Sequence, residues 1–576
     1  MKMKKILFIL FISTLLVGCN GWLDVNKDPN NPQDVPMSLL LPSVELNATY
    51  VLAPGSGSLG TGLGEDLGVY THQLSTREAA NVYGADGSEY YLRNAWSGMY
   101  ISTLQNLDII ITKSGESNAP YYEGLAKVIK AYMYSQFVDV FGDVPFTEAN
   151  KKADGIVYPK FDNGVDIYPA LITMLDDAIA KLKTTATVTV PKTDDLIFGG
   201  DVTKWIKTAN TIKLKLYTQT YNQKGADKAA IGAKIKAIFD NLATTPLIAA
   251  TADGFMFPFV SQRTPDNRHP AYGGTYEATQ KTTNISPRFF EILKGINPVF
   301  SGIVDPRIPY YFYNQLKPSQ TGKDGNKFEY RVGGFASIYF GSTGPDNGAA
   351  QDKSQTVYGI YPCGGRYDQG DALTVDKSSG TGAAPYRFLT YADRLFLEAE
   401  LLQAGIITTT PDGNDAKTVL NAAMVEAFRL VDYVAAKANG SQTIPVLTGA
   451  TKTNTYITSI LSLFDAGDAN KKMEIIMTQK WISSFGSFVD QYTDYRRTGY
   501  PKMFDPNDAT MAPSGFVTPP AGGDPDRTLP PVKVSCSLAY PRSLAWSIDE
   551  INVNKNAPKQ KTDPSTYYVF WDPKKN

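Results

Sequence analysis

The sequence predicts a mainly α-helical chain of helical hairpins, interrupted by a long loop-rich insertion with a few short strands. Three observations carry this. Apolar residues recur at i, i+3, i+4 and i+7 along several segments; those segments come in pairs across short gaps; and between residues 241 and 385 the periodicity gives way to Gly, Asn, Ser, Thr and Tyr, as in "GGFASIYFGSTGPDNG".

The chain opens on Lys2, Lys4 and Lys5 and a run from Ile6 to Val17 that is apolar except for Ser13 and Thr14. A basic start with a short apolar core reads as a secretory leader. At about 1.5 Å per residue such a core rises roughly 18 Å, too short for a hydrocarbon layer of about 30 Å. The run ends in Leu16-Val17-Gly18-Cys19, which resembles a bacterial lipobox. Residues 1–18 are then a lipoprotein signal peptide and Cys19 becomes a lipidated first residue, since several acyl chains anchor firmly where one does not. Residues 19–36, with "NKDPNNPQD", carry too little apolar surface to order themselves and read as a flexible tether.

The helical segments follow. In "EGLAKVIKAYMYSQFVDVFGDVP", Leu125, Val128, Ile129, Tyr132, Met133, Phe137, Val140 and Phe141 form one stripe, and Gly142 and Pro145 stop it. Ile167, Leu171, Met174, Leu175, Ala178 and Leu182 share a face, with Pro169 placed in the first turn. Trp205, Ala209, Ile212 and Leu216 mark another helix; Phe388, Tyr391, Ala392, Leu395, Phe396, Ala399 and Leu402 a fourth; and "EIIMTQKWISSF" from Glu474 a fifth. The expected pairs are 91–113 with 121–141, 164–183 with 203–222, 386–404 with 414–436, and 454–465 with 470–485. Hairpins in series suggest a solenoid of tetratricopeptide type. The scaffold is expected over about 91–240 and 386–500, the loop-rich region over 241–385, and an irregular Pro-rich segment over 501–576, all within one domain, 37–576.

Composition narrows function. The formal net charge of −1 becomes −4 once the leader's three lysines are removed, so no basic footprint for nucleic acid exists. Two histidines, His72 and His269, and no C-x-x-C argue against a metal site. Cys363 and Cys536 leave room for one disulfide. No H-E-x-x-H, G-x-S-x-G or G-x-x-x-x-G-K-[ST] occurs, and no cofactor or catalysis is expected. "DYRRTGYP" at Asp494–Pro501 pairs an Asp with two Arg and reads as a self-neutralised structural element.

Several stretches then match, in order, a known family. They are "WSGMYISTLQNLDII" from Trp96, "GLAKVIKAYMYSQFVDVFGDVPFTEA" from Gly124, "DIYPALITMLDDAI" from Asp166, "DVTKWIKTANTIKLKL" from Asp201, "VDPRIPYY" from Val304, "YRFLTYADRLFLEAELLQAG" from Tyr386 and "TQKWISSFGSFVDQYTDYRRTGYP" from Thr478. Together they resemble the SusD/RagB family of Bacteroidetes outer-membrane lipoproteins, in its SusD-like branch. Asp490-Gln491-Tyr492, "PRSLAW" at Pro541–Trp546 and Phe570-Trp571 depart from the family's usual pattern. The resemblance implies a tetratricopeptide-like scaffold, lipid-anchored in the outer membrane and exposed at the cell surface. It implies capture of an oligosaccharide or peptide for delivery to a SusC-like TonB-dependent barrel. The alternative is a structural or adhesive surface lipoprotein without a small ligand.

Rings flanked by amides and charges suit a sugar or peptide. Three loop regions offer them: Tyr70, His72, Arg77, Tyr83 and Tyr90; Arg263, Asn267, Arg268, His269 and Tyr272; and Tyr339, Tyr358 and Tyr361. These are the candidate ligand contacts, expected to converge on one shallow surface site. Their rings lie outside the helical stripes and are expected to support little core. Trp96 is expected to pack.

Overall fold

The fold is built outward from one helix. In the computed structural model, which describes residues 35–575 apart from 56–61, 77–78, 186–188, 279, 326–327, 343, 345–351 and 412, the segment Pro120–Phe141 is helical and buried nearly all round. The preceding chain packs on it through α1 (Met37–Leu52) and α4 (Gln105–Glu116); between them come α2 (Gly64–Tyr70), α3 (Tyr90–Ser97) and a π-helical stretch (Gly98–Leu104), and Trp96 and Tyr100 of the last two meet Phe137 near the helix's C-terminal end. The central helix, α5, starts with Pro120 in its first turn, where a missing N–H costs nothing. It ends at Gly142, whose φ of +78 suits glycine alone without strain. The leader, Cys19 and most of the tether lie outside the described residues, as does Arg77.

The hairpin series is present. α5 packs on α4 and on α6 (Gly164–Leu182); α6 packs on α7 (Val202–Thr220), and α7 on α8 (Lys228–Phe239). After the insertion, whose short helix α9 spans Pro287–Leu293, come α10 (Tyr391–Gln403), α11 (Ala416–Ala438), α12 (Thr451–Ala466), α13 (Ala469–Ser483) and α14 (Val489–Thr498). α10 to α13 pack in sequence, α10 also meets α7 and α13, and α14 returns to α5. The architecture is mainly α, a tetratricopeptide-like scaffold of helical hairpins. The α5–α6 approach is close: a Cβ on Gly124 would sit 2.6 Å from Leu182 Cγ. Among the described residues no helix is long and apolar enough to cross a membrane.

Two local expectations are corrected. Residues 386–389 form a strand, and α10 begins only after Thr390, whose side chain makes a capping box with Asp393. Phe388 therefore packs from a strand and not from a helical stripe. α6 begins at Gly164, so Pro169 falls in its second turn.

Among the described residues the strands pair only in two-stranded antiparallel ladders. Tyr386–Leu389 pairs with Phe255–Phe257 and so clamps together the two ends of the insertion. Leu74–Ser75 pairs with Asn284–Ile285, which brings the segment after α2 beside α9. The insertion is a packed body: Phe289, Tyr310, Tyr311, Phe312, Tyr330 and Phe335 belong to the same apolar cluster as α5. The Pro-rich C-terminal segment is pinned as well. Trp571 Nε1 donates to Asp139 at 2.8 Å, and Lys561 Nζ donates to the carbonyls of Phe141 and Leu544 at 2.6 and 2.7 Å. Cys363 is buried, Cys536 is half-buried, and both are free thiols.

Ala399 is fully buried on α10, which packs against α7, α11 and α13. Ala399→Phe should therefore overpack the interface and lower unfolding free energy by about 1–3 kcal/mol. A melting temperature equal to the parent's would contradict this packing.

Candidate ligand-binding site

Most of the candidate residues face inward. Tyr70 on α2 is fully buried, its ring 5.6 Å from that of Tyr83 in an edge contact. Tyr83 in turn packs on Phe340 and Tyr540 at 4.9 and 5.2 Å. His72, in the left-handed region at φ +56, has its ring 4.2 Å from Phe340 and its Nε2 2.7 Å from the Tyr83 hydroxyl. Tyr339 is buried beneath Tyr330 at 5.5 Å. The first loop and the start of the third thus meet in one cluster.

The second loop meets the rest of the third in another. Arg268 is buried against Asp266 and Glu277, with its guanidinium 5.1 Å from the Tyr272 ring. His269 is buried, and its Nδ1 accepts from the Ala271 N–H at 3.2 Å. Tyr272 stacks on Tyr276 at 4.9 Å with the planes 4° apart. Tyr276 then donates to the Tyr358 carbonyl at 2.7 Å. Tyr358 packs on Phe485, and Tyr361 donates to the Ser483 carbonyl at 2.9 Å. Among the described candidates only Arg263, Asn267 and Tyr90 are more open. Arg263 pairs with Glu277 at 3.0 Å, Asn267 is half-buried, and Tyr90, 66% exposed, stands on α3 apart from both clusters.

The expectation that these rings support little core is therefore corrected. Tyr70, Tyr83, Tyr272, Tyr339, Tyr358 and Tyr361 are core residues, and a ring with no open face cannot stack on an incoming ligand. Trp96 packs as expected, 5.3 Å from Phe141.

Burial sets the charge state of both histidines. It pushes His72 down to about 3, helped by the Arg288 charge, and drives His269 well below its ordinary value, helped by Arg387. A histidine held neutral stabilises the fold fully above its unfolded pKa of about 6.5 and loses that contribution as pH falls toward the folded value. Between pH 6.5 and 5, His72 alone should cost about 1.5–2 kcal/mol. Urea denaturation of the parent and His72→Gln at both pH values checks this. The parent should lose that much more than the variant, and equal slopes would contradict it.

An open concave surface lies elsewhere, with His72 at its inner wall. A cleft of about 530 Å³ is lined by His72, by Arg288 and Ile292 of α9, by the turn Asn297–Val299, by α13, and by the segments Pro501–Phe504 and Thr510–Met511. Each wall follows from local structure. Ser286 caps α9 by accepting from the Arg288 N–H at 3.2 Å, and Arg288 and Ile292, four apart, share a face. On α13, Lys471, Glu474, Thr478 and Trp481 fall at i, i+3, i+7 and i+10, one face of a helix. Trp481 Nε1 donates to the Thr71 carbonyl at 3.0 Å and Gln73 Nε2 donates to the Trp481 carbonyl at 2.6 Å, which fixes the turn bearing His72.

Arg288 and Met511 also line a second cleft of about 670 Å³ with Pro513, Phe516, Val517, Thr518 and Pro531. The two share a wall and form one trough. Phe516, 43% exposed, and Met511, 38% exposed, are apolar side chains left open on its rim. The trough pairs accessible apolar surface with Arg288, Asn297, Lys471, Glu474 and Lys502, a mixture that grips a polar oligomer. Of the described candidates only His72 lines it. The signal in the sequence was "PKMF" and "MAPSGF", apolar residues in a Pro- and Gly-rich stretch without helical or strand period.

"DYRRTGYP" is structural. Arg497 is fully buried against Glu400 at 2.6 Å and Asp494 at 2.9 Å, and Arg496 lies 3.7 Å over the Tyr492 ring.

Residues 29–519 match the SusD-like family model, described as starch-binding and associating with the outer membrane. Among solved structures, a SusD homolog from Bacteroides fragilis is 18% identical, with a TM-score of 0.64 over 94% of this chain and 99% of its own. A chitin-binding protein is 18% identical, with a TM-score of 0.61 over 93% and 100%. A SusD/RagB family protein from Bacteroides thetaiotaomicron is 19% identical, with a TM-score of 0.59 over 94% and 99%. At this identity the likeness establishes the fold. No curated protein sequence matches the chain.

Proposed function

We infer, because the chain belongs to the SusD-like family of starch-binding proteins that associate with the outer membrane, that it captures an oligosaccharide in the trough between α9, α13 and residues 501–531. It then hands the sugar to a SusC-like TonB-dependent barrel. The observation that carries this is the trough itself. It is the place where exposed apolar side chains, Phe516 and Met511, adjoin cationic and amide groups. A likeness to a chitin-binding protein of the same fold favours a glycan over a peptide. The Leu16–Cys19 pattern supports lipid anchoring at the cell surface through Cys19. The task is binding and not catalysis: ring contacts and a few hydrogen bonds give modest affinity, about micromolar to millimolar, and a capturing lid has to release its cargo.

Calorimetry against a panel of neutral and charged oligosaccharides tests this. Phe516→Ala and Met511→Ala should each weaken the best ligand about 5- to 30-fold, roughly 1–2 kcal/mol, with melting temperatures unchanged because both side chains are exposed. If both variants bind like the parent, the capture site lies elsewhere.

A further inference from the structure

Arg288 stands where the two clefts of the trough meet, and its surroundings fix it. The guanidinium lies 4.4 Å from the Phe504 ring centre and 5.8 Å from that of Tyr339. Its Nη1 donates to Glu291 Oε2 at 2.8 Å. That leaves the opposite edge of the fork: Nε is buried with no hydrogen-bond partner, and no bond to Nη2 exists among the described residues. A buried N–H without a partner is costly, of the order of 1–3 kcal/mol, and rare in native folds.

The same wall holds a second open group. His72 is 2% exposed, kept uncharged by burial, and its Nδ1 has no partner. The charges of the trough lining are uneven. Three cations, Arg288, Lys471 and Lys502, are set against two carboxylates: Glu291, bound to Arg288 at 2.8 Å, and Glu474, bound to Lys471 at 2.9 Å. In a chain whose formal charge is −1, that is a local excess of cations.

We infer that the trough recognises a carboxylate-bearing sugar, a uronate unit of an acidic oligosaccharide, through the Nε–Nη2 edge of Arg288. A carboxylate matches that edge with two parallel hydrogen bonds, and a stacked, pre-oriented arginine loses little freedom in making them. Lysine at the same place keeps the charge and loses the fork. Lys502, exposed at the rim, adds attraction without geometry. This rests on the trough being the capture site and adds which sugars it selects.

The test measures binding of the purified protein to tetrasaccharides of galacturonate, glucuronate and mannuronate, each beside its carboxyl-reduced counterpart, and to triglutamate. At least one uronate should bind ten-fold or more tightly than its reduced form. Arg288→Lys, checked for an unchanged melting temperature, should remove most of that difference, weakening the uronate far more than its reduced form. If acidic and reduced forms bind alike and Phe516→Ala weakens both, the trough is the capture site and does not read carboxylates, which overturns this inference alone. Triglutamate binding as tightly as the uronates would also overturn it, since the site would then read charge and not a sugar acid. If no sugar binds, or Phe516→Ala changes nothing, the capture site and this inference fall together.

Discussion

Arg497→Met should cost about 3–5 kcal/mol of unfolding free energy, because it strands a buried charge. The Arg497 guanidinium takes both oxygens of Glu400, at 2.6 and 2.9 Å, and one of Asp494 at 2.9 Å. Lys480 closes the set on Asp494 at 2.7 Å, and Tyr221 donates to Glu400 at 2.7 Å. All of these side chains are buried. Burial pushes the Asp494 carboxyl up, and Lys480 and Arg497 outweigh it, so the group stays ionised below its ordinary value. Two cations and two carboxylates balance, and they tie α10, α13 and α14 to the end of α7. Removing Arg497 leaves one uncompensated negative charge; removing Glu400 leaves one positive charge. Removing both, as Arg497→Met with Glu400→Met, restores balance through Lys480 and Asp494. The double variant should recover most of the loss, since an apolar replacement of a buried pair is often neutral. Urea denaturation of the three proteins decides it. A single-variant loss under about 1 kcal/mol would mean that the pair is solvated.

The helical half of the molecule was legible because helical periodicity is local. Leu125, Val128, Ile129 and Tyr132 show their stripe within eight residues, and Gly142 marks its end a turn after Val138. The misread boundary at 386–390 has a distant cause. "YRFL" carries no strand alternation of its own and becomes a strand only because Phe255–Phe257 lies beside it. The rings of the insertion were misread for a non-local reason. Tyr361 meets the carbonyl of Ser483, and Tyr272 meets that of Ser379. A Tyr in a glycine-rich stretch looks like a displayed ring until the distant carbonyl that satisfies its hydroxyl is in place. The trough was invisible for the same reason. His72, Arg288, Lys471 and Phe516 converge from four separate parts of the chain, with no spacing that relates them.

The scaffold and the trough divide the aromatic and cationic residues between two tasks. Arg497 and Arg307 are fully enclosed, and their carboxylates are enclosed with them. Arg288 and Lys502, by contrast, are left part-open and border the trough. The same holds for rings: Tyr311, Tyr361 and Phe485 stack on one another in the interior, while Phe516 remains open on the rim. Substitutions in the first set should act on stability and those in the second on binding.

Tyr361→Ala is the sharpest case of the first set. The ring is fully buried, stacked on Tyr311 at 4.9 Å, and its hydroxyl donates to Ser483. Arg387 lies over it, 4.3 Å from the ring centre, and donates to the carbonyls of Tyr361, Pro385 and Phe485 at 3.2, 3.1 and 2.8 Å. Truncation would open a cavity the size of a phenol ring, and cavities of that kind cost about 3–5 kcal/mol. It would also take the π face from a buried guanidinium, a contact of about 2 kcal/mol when desolvated. The loss should therefore sit at the upper end of that range, and the variant should unfold at markedly lower urea. Tyr361→Phe keeps the ring and the Arg387 contact and leaves only the Ser483 carbonyl unpaired, so it should cost about 1–3 kcal/mol. The ordering is the test. If Tyr361→Ala is as stable as the parent, the ring is not enclosed and the residue returns to the list of ligand contacts. If Phe and Ala variants lose equally, the hydroxyl and not the ring holds the insertion to α13.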